Sequence, residues 1–234
     1  MTLRHILAAV DFGAASERAL QVAGALGAAF GASVTALHAE TFEVPPYFTL
    51  DQIARLDRER ERLKAAAAGH VREMAARVTT QPVTPLVTEG AAAEAILSHV
   101  GRADLVVMGT HGRRGPGRWW LGSVAERVLR ETPVPLLILR ATGSSFAPAD
   151  LFQHVLVMRD SDGRRLDAAT WADTLAGRFG GRTAPGPPPA ACTPADLSGA
   201  TLVVAPLEGR GDERLAAEAV RLLRACQMPV LFVA

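Results

Sequence analysis

Features that define several common protein classes are scarce in this sequence of 234 residues. Its two cysteines, Cys192 and Cys226, are too far apart for a C-x-x-C motif and too few for a disulfide framework, which favours a reducing compartment. The apolar run at 6–10 is too short for a signal peptide, and no stretch approaches the roughly 20 apolar residues of a membrane span. We therefore expect a soluble, cytoplasmic protein.

Neither sign of charge is in excess. Lysine and arginine number 25 and aspartate and glutamate 24, so no basic face or acidic tail is forced. Nucleic acid and membranes are therefore not expected partners. A hydrophobic content of 49% is too high for a disordered chain. At about 150 residues per domain, the length corresponds to roughly one and a half domains.

Catalytic and metal-binding constellations are also missing. The histidines and cysteines form no H-x-x-x-H or Cys/His cluster, so no metal ligands are predicted. No nucleophile with an adjacent base, and no acid–base pair, is apparent, so no catalytic residue is predicted. The phosphate-binding P-loop and the G-x-G-x-x-G dinucleotide fingerprint are absent as well.

Apolar runs that alternate with helical patterns occupy the first 140 residues. Because three of the runs are continuous rather than alternating, they favour a parallel sheet covered on both faces. Strands are predicted at 4–10, 33–39, 83–88, 104–108 and 134–139, and helices before Gly31 and at 51–78, 91–100 and 123–131, the second with an apolar stripe from Ile53 through Leu63 to Val78. A doubly wound α/β fold with a five-stranded sheet of order 3-2-1-4-5 follows. Asp11 and Met108 would then face one crevice.

The composition changes near Ala141, where small, polar and proline residues begin. We predict a first domain at 1–143, a linker at 144–153 and a degenerate, shortened second copy at 154–234. Residues 200–234 repeat the order of 103–140, whereas the stretch 180–194 predicts no regular structure. The copy has room for a first strand and helix and a last strand-helix-strand. Such a fragment has too little core to be stable alone and should pack on the first domain.

The most informative motif is a glycine loop, Gly109-x2-Gly112-x9-Gly122-Ser123, between a buried strand and a helix. Ligands of α/β sheets bind at this edge, and unpaired N–H groups at a helix N-terminus suit an anion. Glycines also let a backbone approach a phosphate chain closely. Alternatively, the glycines only turn the chain and Ser123 serves as the N-cap of the helix.

This spacing, flanked by LVVMG, SVAE and PVPLLILR, resembles the ATP-binding signature of the universal stress protein family. The opening ILAAVDFGAASERAL is similar to the first strand and helix of that family, and the likeness covers residues 3–140. The resemblance implies a fold like that of the adenine nucleotide alpha hydrolases, and ATP as ligand, with Mg²⁺ able to arrive on its phosphates. It implies these binding residues: Ala9, Val10, Asp11 and Ala39 at the adenine and ribose, Met108 and Gly109 at the ribose, and Gly112, Gly122, Ser123 and Val124 with His111 and Arg113 at the phosphates.

Some alternatives stay open beside this resemblance. Asp11 could instead cap the first helix, and His38 and His111 are more typical of hydrogen-bond donors than of bases. Trp119 and Trp120 depart from the small residues usual in the family loop, and we interpret them as an interface rather than a lid. The protein is then a nucleotide-dependent regulator of a stress response, a scaffold in which nucleotide is incidental, or a slow ATPase.

The second copy is expected to bind no nucleotide. Pro206 takes the place of Gly109, no Gly-Ser pair follows, and Glu208 and Asp212 would repel phosphate. Because members of the family pair through their last strands, the resemblance implies that 134–139 and 229–233 pair within one chain, as an intramolecular pseudo-dimer. A homodimer of such units is also expected. The sequence names no protein partner, pathway or stress.

Overall fold

The computed structural model describes residues 2–41, 50–110, 121–140, 147–159, 166–207 and 213–233. Strands and helices alternate through the first unit in the predicted order. Its elements are β1 (His5–Ala9), α1 (Ala14–Phe30), β2 (Ser33–Glu40), α2 (Leu50–Val78), β3 (Val83–Glu89), α3 (Ala92–His99), a 3-10 turn (Val100–Arg102), β4 (Leu105–Gly109), α4 (Ser123–Glu131) and β5 (Leu136–Leu139).

The second unit repeats part of this plan. Its elements are a 3-10 turn (Pro148–Phe152), β6 (His154–Val157), α5 (Leu166–Arg178), β7 (Arg182–Pro185), a 3-10 turn (Pro189–Ala191), β8 (Leu202–Pro206), α6 (Glu213–Ala225) and β9 (Val230–Val233). The strand β7 corrects our expectation that 180–194 holds no regular structure. A strand at a sheet edge needs hydrogen bonds on one side only, so it tolerates the proline that argued against a strand here.

All of these strands join one nine-stranded sheet of order β3-β2-β1-β4-β5-β9-β8-β6-β7. The first five positions confirm the predicted order 3-2-1-4-5. Every neighbouring pair is parallel except β5 and β9, which run antiparallel with Leu137 opposite Leu231. The two strands expected to pair between the units therefore do so, and this antiparallel seam joins the two units.

Helices cover both faces of the sheet, as continuous apolar strands require. On one face α1, α2 and α5 bury residues such as Leu20, Val71 and Ala172, and on the other α3, α4 and α6 bury Ile96 and Val128 among others. Each of these two clusters contains residues from both units, so the core is continuous across the seam. Among the described residues, no helix combines the length and apolar character needed to cross a membrane.

The predicted apolar stripe of α2 is buried only in its second half. Val71 and Met74 are buried, whereas Ile53 and Leu63 are 43% and 44% exposed. The helix of 29 residues spans about 43 Å, but β3 with 7 residues spans only about 23 Å. Lys64 Nζ lies 2.8 Å from Glu89 Oε1 at the end of β3. The first turns of α2 therefore extend beyond the sheet edge.

The segment predicted as a linker contributes to the core in its described part. Leu151 and Phe152 form the end of a 3-10 turn and are buried, and the Phe152 ring stacks on Phe179 at 4.5 Å between centroids. Gly181 passes so close to the Phe152 carbonyl that a Cβ there would overlap it. The apolar pair directly before β6 thus packs with the second unit.

Candidate functional site

A cavity of about 390 Å³ opens where β1 and β4 end side by side. This is the edge of a doubly wound sheet where its strand order reverses, the usual place for a ligand. The residues that line it are Ala9, Val10, Asp11, Ser16, Leu37, Ala39, Ala92, Ile96, Met108, Gly109, Thr110, Gly122, Ser123, Val124 and Ala125.

Every predicted binding residue that the structure describes lies around this cavity. The residues concerned are Ala9, Val10, Asp11, Ala39, Met108, Gly109, Gly122, Ser123 and Val124. His111, Gly112 and Arg113, also predicted at the phosphates, lie outside the described residues, as do Trp119 and Trp120. The sheet thus brings together residues that are more than 100 positions apart in sequence.

Asp11 starts a tight turn between β1 and α1. Its Oδ1 accepts a hydrogen bond from the Gly13 N–H at 3.1 Å and another from the Ser16 hydroxyl. Its own N–H donates to Ser16 Oγ at 2.9 Å. The next residue, Phe12, has a φ of 62°, in the left-handed region that a bulky residue seldom adopts. Asp11 therefore fixes the turn that leads into α1 and also lines the cavity, but it is not the cap of the helix, whose N-cap is Gly13 without a side-chain cap.

His38 supports the same turn from the opposite face of the sheet. Its Nδ1 donates to the Val10 carbonyl at 2.8 Å, and its Nε2 lies 3.0 Å from Glu40 Oε1. The residue is 8% exposed, and its ring centroid lies 4.3 Å from that of Phe12. His38 does not line the cavity, so its role among the described contacts is to fix the backbone of the turn.

Gly109, the last residue of β4, has a packing reason to be glycine. A Cβ at this position would lie 2.5 Å from the Ala15 Cβ on α1. Close approach to α1 therefore excludes larger side chains here, whether or not a ligand also needs the space. The backbone of Gly109 therefore lines the cavity without a side chain.

The N-terminus of α4 points its first turn into the cavity. Gly122 is the N-cap and makes no side-chain cap, so the alternative in which Ser123 caps the helix is wrong, since Ser123 is its first residue. The N-caps of α1 and α3, Gly13 and Ala91, also lack a side-chain cap, and Ser16 and Ala92 from the first turns of those helices line the cavity. Three helix N-termini, each with a partial positive charge, thus converge here.

Sequence reasoning missed part of the wall. Leu37 and Ile96 line the cavity without belonging to the glycine motif or the first turn, and Thr110 lines it from a position that the motif leaves unspecified. Leu37 could have been found, because it shares a strand face with Ala39 two positions on. Ile96 could not be placed from sequence because it depends on how α3 packs over β2.

Charged groups are few in the lining. Asp11 is the charged side chain among the described lining residues, beside the hydroxyls of Ser16, Thr110 and Ser123. Within the described ranges, no group of three or more His, Cys, Asp or Glu side chains is arranged to hold a metal ion. The described lining can therefore provide a ligand with apolar contacts, hydrogen-bond donors from the backbone and from hydroxyls, and one carboxylate.

Known proteins similar to this chain point to one family. The sequence model of the universal stress protein family matches residues 2–140. A universal stress protein of Thermus aquaticus, from the region 3′ of a QAH/OAS sulfhydrylase, is 38% identical over 146 residues, which cover 58% of this chain and 98% of that protein.

Solved structures extend the likeness in fold to both units. A universal stress protein of Archaeoglobus fulgidus DSM 4304 aligns with a TM-score of 0.67 at 17% identity, covering 99% of this chain and 96% of that one. A functionally unknown protein of Pseudomonas aeruginosa PAO1 aligns with a TM-score of 0.62 at 13% identity, over 99% of this chain and 92% of that one. The nine-stranded arrangement thus resembles other single chains of similar extent.

Proposed function

Because the chain belongs to the universal stress protein family, whose model covers residues 2–140 of its 234, we propose that its first unit binds one ATP and that the protein is a nucleotide-dependent regulator in a stress response. The observation that supports this most is the cavity at the ends of β1 and β4, onto which α1, α3 and α4 open their uncapped N-termini. Several helix dipoles around one cavity favour a strongly anionic ligand.

The phosphates belong at α4 in this proposal. Ser123, Val124 and Ala125 line the cavity from the first turn, where backbone N–H groups have no partner within the helix. The Ser123 hydroxyl adds a further donor. Mg²⁺ would then arrive with the phosphates rather than on a protein cluster.

The base belongs on the apolar side. Leu37, Ala39, Ile96 and Met108 present apolar surface there, and a cavity of about 390 Å³ lies within the usual range for small-molecule sites. A flat, weakly polar base suits such walls. Asp11, which follows β1 beside the end of β4, then faces the sugar.

A titration of the full chain with ATP tests this function. We expect a stoichiometry near one, because the second unit has Pro206 where the first has Gly109 and lacks the Gly-Ser pair. In Gly122→Val, the branched side chain at the N-cap should block the phosphates, and ATP binding measured by calorimetry should weaken by at least about a hundredfold.

Gly101→Val is the matched control. Gly101 lies in the 3-10 turn before β4, at the ends of the strands opposite the cavity. A Cβ there meets no atom within 4 Å. This variant should bind ATP like the unmodified protein. Unchanged affinity in Gly122→Val, absence of ATP binding by the natural sequence, or two equal sites per chain would refute the proposal. AMP and turnover assays on the same samples separate the regulator from a scaffold and from a slow ATPase.

A further inference from the structure

Ser16 lines the cavity although no part of the glycine motif involves it. It lies in the first turn of α1 and is 3% exposed. Serine side chains near a helix start commonly bond to nearby backbone groups. Here its hydroxyl instead bonds to a side chain that faces the cavity.

The bond between Ser16 and Asp11 is reciprocal. The Asp11 N–H donates to Ser16 Oγ at 2.9 Å, and the Ser16 hydroxyl donates to Asp11 Oδ1, which also accepts the Gly13 N–H at 3.1 Å. Two donors on one carboxylate oxygen fix the rotation of the carboxylate about its side-chain bonds. Ser16 thus sets the direction in which Asp11 faces the cavity.

The surroundings indicate what a fixed carboxylate would bind. A carboxylate accepts hydrogen bonds and repels phosphate, so its ligand must be a donor group separate from the anionic part of the molecule. Asp11 follows β1, whereas the anion-favouring turn at Ser123 follows β4 and its loop. The neighbouring 2′ and 3′ hydroxyls of a ribose are donors of this kind, placed between base and phosphates.

We propose that Ser16 is a positioning residue that aims the Asp11 carboxylate at the ribose hydroxyls, so that the cavity selects ribonucleotides over nucleotides without these hydroxyls. The inference rests on the proposed binding of ATP and adds a sugar specificity and a residue responsible for it. Without the Ser16 hydroxyl the Asp11 carboxylate keeps the Gly13 N–H but loses one of these two constraints, and it would bind the sugar more weakly.

The test compares ATP with 2′,3′-dideoxy-ATP by calorimetry on the full chain. The natural sequence should bind ATP more tightly than the dideoxy nucleotide, by about tenfold, as expected for hydrogen bonds to a charged group. Ser16→Ala should lose most of this preference by weakening ATP binding alone, and its affinity for dideoxy-ATP should stay within about twofold of the natural value. Ser16→Thr, which keeps the hydroxyl, should restore the preference.

Two further variants make the result unambiguous. Asp11→Asn removes the acceptor charge while keeping the shape, and it should also bring the ratio of the two affinities close to one. Ser33→Ala removes a hydroxyl that bonds the Arg4 carbonyl at the far edge of the sheet, and it should leave the ratio unchanged. Thermal unfolding confirms that each variant is folded.

The outcomes separate this inference from the function on which it rests. If the natural sequence binds no ATP, the proposed function fails. If ATP binds but Ser16→Ala weakens both nucleotides equally, or weakens neither, Ser16 has only a structural role and the inference is overturned. If Ser16→Ala does not fold, a ratio in Asp11→Asn that equals that of the natural sequence overturns it as well.

Discussion

At the scale of single residues, folding raises the pKa of the Cys226 thiol. Its side chain is fully buried against α6 and the second face of the sheet, and burial raises the pKa of its thiol to about 12 from an ordinary 9.0. The folded protein therefore keeps this proton at pH values where the unfolded chain has lost it. Cys192, which is only partly buried, has a pKa raised in the same direction by burial.

We expect alkaline pH to destabilise the fold through Cys226. Because the folded-state pKa is the higher one, this contribution to the free energy of unfolding is fully present below about pH 9 and is lost as pH rises toward about 12. Tyrosine and lysine also lose protons in this pH range, but the chain has only one of each, and the lysine is Lys64. The contribution of Cys226 should therefore be measurable. Urea unfolding at about pH 8 and about pH 10.5 gives the difference.

Replacing each cysteine in turn isolates the cause. Cys226→Ala should reduce the loss of stability between the two pH values, whereas Cys192→Ala should keep most of it. Lys64, whose pKa is raised by hydrogen bonds to Glu89 and Glu61, contributes in the same direction in every variant. An equal pH dependence in Cys226→Ala and the natural sequence would contradict the assignment to Cys226.

The site shows which residues a sequence can reveal. Gly122 and Ser123 lie in one short motif, and Asp11 directly follows an apolar strand, so spacing and position identify them. The Ser16–Asp11 pair is also local, but its hydrogen bonds depend on the left-handed backbone of Phe12, which no propensity predicts. Ile96 depends on the packing of α3, a long-range contact that one sequence does not encode in readable form.

At the scale of elements, a buried arginine connects the two units. Arg140 follows β5, is 9% exposed, and donates through Nη2 to the Leu223 carbonyl in the last turn of α6. The last carbonyls of a helix lack partners within the helix and favour a nearby cation. Since α4 packs on α6, this contact also supports the helix that carries Ser123.

Removing this cation should loosen α6. We expect Arg140→Met to lower the free energy of unfolding by roughly 1–3 kcal/mol, because the buried Leu223 carbonyl loses a charged donor. Hydrogen exchange of the α6 amides should accelerate. Arg130→Met, which removes an exposed pair with Glu126, is the matched control and should change stability by less than about 1 kcal/mol. Equal effects of both variants would argue against a structural role for Arg140.

Elements whose apolar pattern matches the sheet were predictable, and the exceptions have physical causes. α4 has the predicted bounds because a glycine N-cap and a strong apolar stripe delimit it. β7 was missed because its four residues are all exposed and end in proline, so no apolar pattern marks an edge strand. The exposure of Ile53 was missed because an apolar stripe does not reveal where the neighbouring sheet ends.

At the scale of the whole molecule, the seam between β5 and β9 closes the middle of the sheet. Without it, β5 would have no partner strand on that side. Both strands are fully buried, and Leu136 lies opposite Phe232. Deleting 229–234 should expose the edge of β5, and an exposed apolar edge invites strand pairing between molecules. We expect the truncated protein to associate or precipitate, as seen by light scattering during size-exclusion chromatography.

Removing Ala234 alone is the control, since β9 ends before it. That protein should behave like the full chain. A protein lacking 229–234 that stays monomeric and equally stable would mean that the seam contributes little. The homodimer expected from the sequence remains a prediction, because Trp119 and Trp120 lie outside the described residues.

The seam joins two strands of one chain, so its pairing does not depend on protein concentration. Two separate chains that meet edge to edge come apart on dilution, since their association depends on how much protein is present. Here β5 and β9 belong to one chain, and the chain between them fixes their effective concentration whatever the amount of protein present. Closure of this seam should therefore not depend on the amount of protein, and for a monomeric chain the midpoint of thermal unfolding should be independent of concentration. A cell could hold only a few copies of this molecule, and each would still have its seam closed.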